Sequence, residues 1–264
     1  MYPRCSALKK PLLAMIPVLL LGLTAWASAE QPSGRDIAQQ VYDRDVGQDS
    51  QRQMTMELIS ARGQSRVREV TMLIKDAGPV RKTMMRFTAP ADISGTGFLS
   101  IEDGQGETEQ FLYLPALNRT RRIATAQKNR SFVNTDFTYE DMERRPVDDA
   151  EHAITGSETL SGVNTWILES RPKPSSDSQY GMVRVWVAKD LFVPLRIDFF
   201  DKRQQHIKQY RVLQLENIQG IWTESTVIME DLASGHSTVL DIQSIQYNTE
   251  LPDALFTQRH LETQ

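Results

Sequence analysis

The sequence predicts a mainly β protein built on one large antiparallel sheet, and three observations carry that prediction. Period-two alternation recurs along the chain, as in Met54-Thr55-Met56-Glu57-Leu58 and Val183-Arg184-Val185-Trp186-Val187, which is the signature of half-buried strands. Turn sequences such as Asp103-Gly104-Gln105-Gly106, Asn217-Ile218-Gln219-Gly220 and Ala233-Ser234-Gly235-His236 separate successive runs at short intervals. Hardly any helical periodicity lies between them, so consecutive strands are expected to pair in a meander. A sheet of that many strands must curl round an interior or lie against a helix.

The elements follow in order. Residues 1–29 read as an export signal: Arg4, Lys9 and Lys10 form a basic start, an apolar run extends from Leu12 to Trp26, and Ala27-Ser28-Ala29 offers small residues for cleavage. The apolar run is short for a membrane span, which needs roughly 20 residues. The whole chain has 264 residues and a net charge of −4. Without the signal, 27 Lys+Arg remain against 34 Asp+Glu, a net −7, and Cys5, the one cysteine, is lost. The expected mature chain, residues 30–264, therefore has no disulfide and no thiol for a lipid anchor. A single domain held by its core is expected, in the periplasm of a Gram-negative bacterium, with no transmembrane segment.

Asp36–Arg44 reads as a short amphipathic helix with Ile37 and Val41 on one face. Strands are expected around Met54–Leu58, Val70–Ile74, Arg81–Phe87, Phe98–Ile101 and Gln110–Leu114. A second series follows at Ser157–Leu160, Thr165–Arg171, Val183–Val187, Leu195–Phe200, Ile207–Glu216, Ile221–Asp231 and Ser237–Tyr247. Two stretches break the rhythm: Pro115–Asp149, charged and irregular with a helical turn near Tyr139–Arg144, and the polar loop Pro172–Gln179.

Particular residues resemble a known family. Phe87, Pro90, Gly95, Gly97, Phe98 and Leu99 lead to Gln110, Tyr113, Pro115, Arg119, Arg121, Arg122 and Ile123. Ser131-Phe132, Asp136-Phe137-Thr138 and Glu140-Asp141 come next, then Val185-Trp186, Pro194-Leu195, Gly220-Ile221-Trp222, Met229-Glu230-Asp231 and the stretch Asn248–Phe256. The series resembles the outer-membrane lipoprotein-sorting proteins of the LolA/LolB-like superfamily and spans nearly all of the mature chain. The resemblance implies a strongly curved antiparallel sheet, an incomplete barrel with short helices covering its concave face. It also implies an apolar lumen for acyl chains, and partnership in this branch with inner-membrane lipid exporters. No functional residue of the superfamily maps one for one onto this chain.

Other chemistries find little footing. A pI near 5.7 disfavours nucleic-acid binding through bulk positive charge. His152, His206, His236 and His260 are far apart and lack metal-ligand spacing, so they read as solvated surface groups. Asp136, Glu140, Asp141 and Glu143 form an acidic cluster without the alternating ligands and central glycine of a calcium loop. Next to Arg144 and Arg145 it reads as charge bias at a helical turn. No GxSxG elbow or cysteine nucleophile is present, and Gly95-Thr96-Gly97 lacks the lysine of a phosphate loop. No metal, no cofactor and no enzymatic activity are expected.

The apolar phase of the strands is the candidate site. Eight methionines remain after the signal, and methionine suits a surface that must fit a fluid chain. Met54, Met56, Met72, Met85 and Phe87 are the candidate cavity residues. Arg119, Arg121 and Arg122, within a basic run reaching Arg130, are the candidate contacts to a headgroup or partner; a solvated loop is the plainer account. The expected function is that of a monomeric periplasmic carrier or chaperone for acyl chains of lipids or lipoproteins. One alternative is an accessory protein docked on an inner-membrane exporter, and another is a hydrolase with a carboxylate pair brought together by folding.

Overall fold

The computed structural model describes residues 31–78, 80–104 and 106–263; the expected export signal lies outside them. Thirteen strands form a single sheet: β1 (Asp49–Ile59), β2 (Ser65–Ala77), β3 (Val80–Ala89), β4 (Gly97–Glu102), β5 (Thr108–Leu114), β6 (Arg119–Arg122), β7 (Ala150–Leu160), β8 (Val163–Pro172), β9 (Tyr180–Ala188), β10 (Pro194–Asp201), β11 (His206–Ile218), β12 (Ile221–Asp231) and β13 (His236–Tyr247). Every pairing is antiparallel. Adjacent strands in the sheet are neighbours in sequence except at the centre, where β1 pairs with β13. The edges, β6 and β7, do not meet, so the sheet is an open, incomplete barrel. The antiparallel meander read from alternation is therefore the observed fold.

Alternation sorts side chains onto two faces. Phe98, opposite Met85 on β3 and Leu112 on β5, points inward. Its neighbour Leu99, opposite Met84 and Phe111, points outward. The inner phase continues through Met72, Val70, Met54, Met56, Met229, Phe199 and Val183, which form one buried cluster.

Helix α1 (Gly34–Tyr42) begins two residues before the expected position because Ser33 caps it. The Ser33 hydroxyl accepts from the Asp36 amide at 3.1 Å, and the Asp36 carboxylate accepts from the Ser33 amide at 3.0 Å. Ile37 and Ala38 bury against Leu168 and Val187 on the concave side of β8 and β9. Helix α2 (Gln258–Glu262), which local pattern did not announce, sets Leu261 against Met84, Leu99 and Phe111 on the outer face. The α-helical cover of the concave face is thus α1 alone among the described residues, with short 3-10 turns in the segment that follows β6.

The rest of that cover is the chain between the two sheet edges. Arg119–Arg122, expected in an irregular stretch, is strand β6: Asn118 in the left-handed region (φ 44) turns the chain back along β5, pairing Arg119 with Leu114. Residues 123–149 then cross the concave face from β6 to β7. The expected helical turn is one 3-10 turn, Glu140–Met142.

This crossing measures the curvature. Tyr139 packs on Phe98 of β4 with ring centroids 6.1 Å apart, and two residues later Asp141 accepts from the Tyr180 hydroxyl of β9 at 2.8 Å. On a flat sheet β4 and β9 would lie roughly 38 Å apart at the usual strand spacing, farther than two residues of chain, at most about 7 Å, and the two pairs of contacting side chains span together. The sheet curls through that difference. Among the described residues no helix is long and apolar enough to cross a membrane.

Candidate functional site

The crossing segment carries aromatic residues in an otherwise polar sequence. Ile123, Phe132, Phe137 and Tyr139 all enter the inner cluster. Phe132 meets Phe98 edge-on at 5.0 Å and Tyr139 edge-on at 5.7 Å, a favoured arrangement of ring quadrupoles. A tight turn at Val133 and Asn134, both at positive φ, brings Ser131 opposite Thr138 and exposes the loop's carbonyls to donors from the sheet. Arg68 Nη1 donates to the Val133 carbonyl at 2.7 Å, and Gln110 Nε2 to the Tyr139 carbonyl at 2.8 Å. The Thr238 hydroxyl donates to Asp136 at 2.6 Å.

The strongest tether is ionic. Asp141 is buried and accepts from Lys208 Nζ of β11, from the Tyr180 hydroxyl at 2.8 Å and from the Thr138 amide at 2.7 Å. Burial pushes the Asp141 carboxyl upward, but the Lys208 ammonium and these donors outweigh it and hold its pKa below the ordinary value. Burial pushes the Tyr180 phenol up, and neighbouring Asp141 adds to it. At Asp136 burial prevails over the Thr238 hydrogen bond, and the carboxyl is raised. Within the acidic cluster seen in sequence, Asp136 and Asp141 are therefore tethers reaching into the sheet and Glu140 holds the loop before β9, rather than charge bias at a helix start. Lys128 of the basic run likewise faces Glu143 at 2.7 Å.

Beside the tethered segment lies a cavity of about 1030 Å³, at the upper end of the roughly 300–1,000 Å³ typical of ligand sites. One wall is apolar: Val41 from α1, Val183, Val185 and Val187 from β9, Ile197 and Phe199 from β10, and Met229 from β12. Cross-strand register explains that wall, since Val185 faces Ile197 and Val183 faces Phe199 on the inner phase. The other wall is charged. Arg44 grips both oxygens of Glu224 at 2.9 Å, Arg144 donates to Glu102 at 2.7 Å and lies 4.2 Å over the Tyr42 ring, and Arg52 projects from β1. The loop 175–179 forms part of the rim, fixed where Ser178 and the Gln179 amide donate to Glu140.

The residues singled out from sequence fall in two places. Met54, Met56, Met72, Met85 and Phe87 come together on the inner face, but as closed core beneath Phe132 and Phe137; none of the five lines the cavity. The cavity adjoins them through Phe137, Phe199 and Met229, which belong both to its wall and to their cluster. Arg119, Arg121 and Arg122 lie exposed on edge strand β6. Arg122 pairs with Glu109 at 2.9 Å, and Arg121 stands beside the Tyr139 hydroxyl. His152 is not a solvated group: its ring nitrogens lie 2.8 Å from Ser170 Oγ and 2.8 Å from the Val147 carbonyl oxygen. Local pattern did not point to Arg44, Arg52 or Tyr210 as cavity residues. For the covering segment a signal existed, namely three aromatics at 132, 137 and 139 in a polar stretch.

An open antiparallel sheet with a covered concave face and an apolar-walled cavity places the molecule in the LolA-like class. A LolA-superfamily protein from Nitrosomonas europaea shares that fold, with a TM-score of 0.68 at 20% identity over 87% of this chain and 100% of that one. Two crystal structures are nearer. A DUF1329 family protein from Desulfovibrio piger is 30% identical over 86% of this chain and 97% of its own, with a TM-score of 0.82. A Vibrio parahaemolyticus domain assigned to outer membrane lipoprotein sorting is 29% identical over 87% and 98%, also at 0.82. A family model described as uncharacterized-protein-like matches residues 80–263. The chain belongs to the DUF1329 family, and the resemblance to outer-membrane lipoprotein-sorting proteins read from its sequence is borne out. A comparison with curated proteins finds no match.

Proposed function

We propose that this protein is a non-enzymatic periplasmic carrier that shelters acyl chains of lipids or lipoproteins. The observation that carries the reading is the apolar wall Val183–Val185–Ile197–Phe199–Met229, open to a cavity and continuous with the methionine-rich inner face. Each CH₂ moved from water onto such a wall gains about 0.8 kcal/mol. A 16-carbon chain would gain on the order of 10 kcal/mol before ordering costs. Met54, Met56, Met72, Met85 and Phe87 extend the same surface under the crossing segment and would serve a longer or second chain if Phe132 moved aside. The non-enzymatic part of the reading draws support from the carboxylates Glu224, Asp141 and Glu143, each held against a cation.

Native mass spectrometry of protein purified from its host tests the carrier: a co-purified lipid is expected, and its absence together with no binding of a fluorescent fatty acid would sink it. Point variants refine the test. Ile197→Glu, on the half-buried cavity wall, should abolish fatty-acid binding while the protein still melts cooperatively, because the carboxylate is solvated until hydrocarbon arrives. Met56→Glu, 2% exposed, should instead collapse the melt, since an unpaired buried charge costs several kcal/mol.

A docking role accompanies the carrier. Arg119 and Arg122 project from a free sheet edge, where side chains meet a partner at little cost to the fold. An exporter's periplasmic domain or an anionic membrane surface is the proposed contact.

A further inference from the structure

Five arginines line the cavity, and four have carboxylate partners: Arg44 with Glu224, Arg81 with Asp76, Arg144 with Glu102, and Arg145 with Glu140. Arg52 has none among the described residues. It lies on the inner phase of β1, opposite Met72 and two residues before Met54, so its stem runs along the methionine-rich surface and its head reaches the cavity. Nε donates to the Ser50 hydroxyl at 3.2 Å, and the Tyr247 ring centre lies 6.0 Å from Cζ. The N–H groups of Nη1 and Nη2 have no acceptor among the described residues. Arginine presents those donors as a planar fork that matches a carboxylate or phosphate two atoms at a time. A half-buried guanidinium stays charged, and the field of Glu224, which already pairs with Arg44, offsets only part of its burial until an oxyanion arrives.

We propose that Arg52 is the headgroup anchor of this cavity, so that the ligand is an amphiphile with an oxyanion head on Arg52 and its tail along Val183, Ile197, Phe199 and Met229. The inference rests on the carrier reading and adds the chemical class of the ligand's head. It also explains why a cavity for hydrocarbon keeps a charged wall. The four paired arginines hold the fold, and the unpaired one is left for the cargo. Carboxylate and phosphate heads share the required chemistry, and probes separate them.

The test is a titration of the full mature chain at pH 8 with three ligands of equal tail length: dodecanoate, dodecyl phosphate and dodecanol. Wild-type protein should bind at least one anionic probe about tenfold or more tighter than dodecanol, as a charge-assisted hydrogen bond in a partly dry site predicts. Arg52→Gln should lose that preference and bind dodecanol as before. Arg52→Lys, which keeps the charge without the fork, should retain part of it. A tight dodecanoate with a weak dodecyl phosphate assigns a fatty-acid head, and the reverse assigns a phosphate head. Equal wild-type affinity for all three probes overturns the anchor while leaving the carrier standing, and needs no variant to fold. An undiminished anionic preference in a folded Arg52→Gln also overturns it. Inorganic phosphate displacing dodecyl phosphate at equal concentration would show a free-anion site and overturn the amphiphile. Failure of all three probes to bind wild type defeats the carrier reading itself, and the anchor with it.

Discussion

At the scale of single residues, chemistry follows from what a side chain finds when the sheet curls. Asp49 illustrates this. At the start of β1 it accepts from the Thr249 amide at 2.7 Å, the Thr249 hydroxyl at 2.9 Å and the Leu251 amide at 3.1 Å. It thereby fastens the C-terminal tail that leads to α2. Burial acts to raise its pKa, but these donors outweigh it and the folded value lies below the ordinary one. A carboxyl depressed in the folded state contributes stability above its unfolded pKa, near 3.9, and loses it as pH falls through the folded value. Asp49→Asn, which leaves one amide facing an N–H group, should therefore lower stability by about 1–3 kcal/mol at pH 7. The gap in melting temperature between variant and parent should narrow below about pH 4. A gap constant from pH 7 to pH 3 would show that the carboxylate's charge is not what holds the tail.

At the scale of elements, the crossing segment 123–149 is the part that distinguishes this sheet from a bare curved surface. Its hold has an apolar and an ionic component, and each has a test. Phe132→Ala removes a fully buried ring and should cost about 3–5 kcal/mol, read as a shift in the urea midpoint. Lys208→Met leaves the buried Asp141 facing Arg145 at 3.9 Å in place of a hydrogen-bonded ammonium and should cost about 3 kcal/mol. Pairing it with Asp141→Leu should recover much of that loss, since removing both charges avoids the poorly paired carboxylate. Edge strand β6 behaves oppositely. Changing Arg119, Arg121 and Arg122 together to Gln should move the melt little, because exposed charges contribute roughly 0–1 kcal/mol each. Association with anionic vesicles should weaken, more at low salt than at high. A triple variant that folds and binds vesicles at low salt as well as the parent would reduce the run to a solvated edge.

The element scale also shows how far the local pattern reaches. Every strand expected from alternation is present, because a half-buried strand writes its two faces into alternate residues. Strand β6, Arg-Thr-Arg-Arg, carries no such signal; its pairing comes from the turn at Asn118 and the waiting edge of β5. The five-residue helix α2 is too short for periodicity and forms because Leu261 finds a pocket of Met84, Leu99 and Phe111. Gly34 is legible only in three dimensions: a Cβ there would lie 2.6 Å from the His152 carbonyl carbon, so α1 approaches β7 as closely as it does because no side chain stands between them.

At the scale of the whole molecule, the pairing of β1 with β13 joins the first and last strands at the middle of the sheet. The inner cluster draws on β1–β5 and on β9, β10 and β12 together. The sheet should consequently unfold as one unit. Denaturation followed by far-ultraviolet dichroism and by tryptophan fluorescence should give coincident midpoints, as two-state unfolding requires. Separate midpoints would mean that the β1–β6 and β7–β13 arms melt independently and that the β1–β13 seam is weak.

Sequence by itself determined the class of this protein. Alternation and turns define the antiparallel meander, and the ordered motifs from Phe87 to Phe256 mark the lipoprotein-sorting likeness, because both are written in neighbouring residues. It also determined which residues face inward, since the period of a strand is two. Tertiary structure alone decided which inward residues are core and which are cavity wall. Met56 and Ile197 share the inner phase, yet Met56 is closed into the cluster with Phe132 and Phe137 while Ile197 borders the cavity, and the segment carrying those rings is distant in sequence from both. The same is true of charge: five cavity arginines look alike in sequence, and the fold sets a carboxylate against four, two of them from distant strands, while among the described residues none pairs with Arg52.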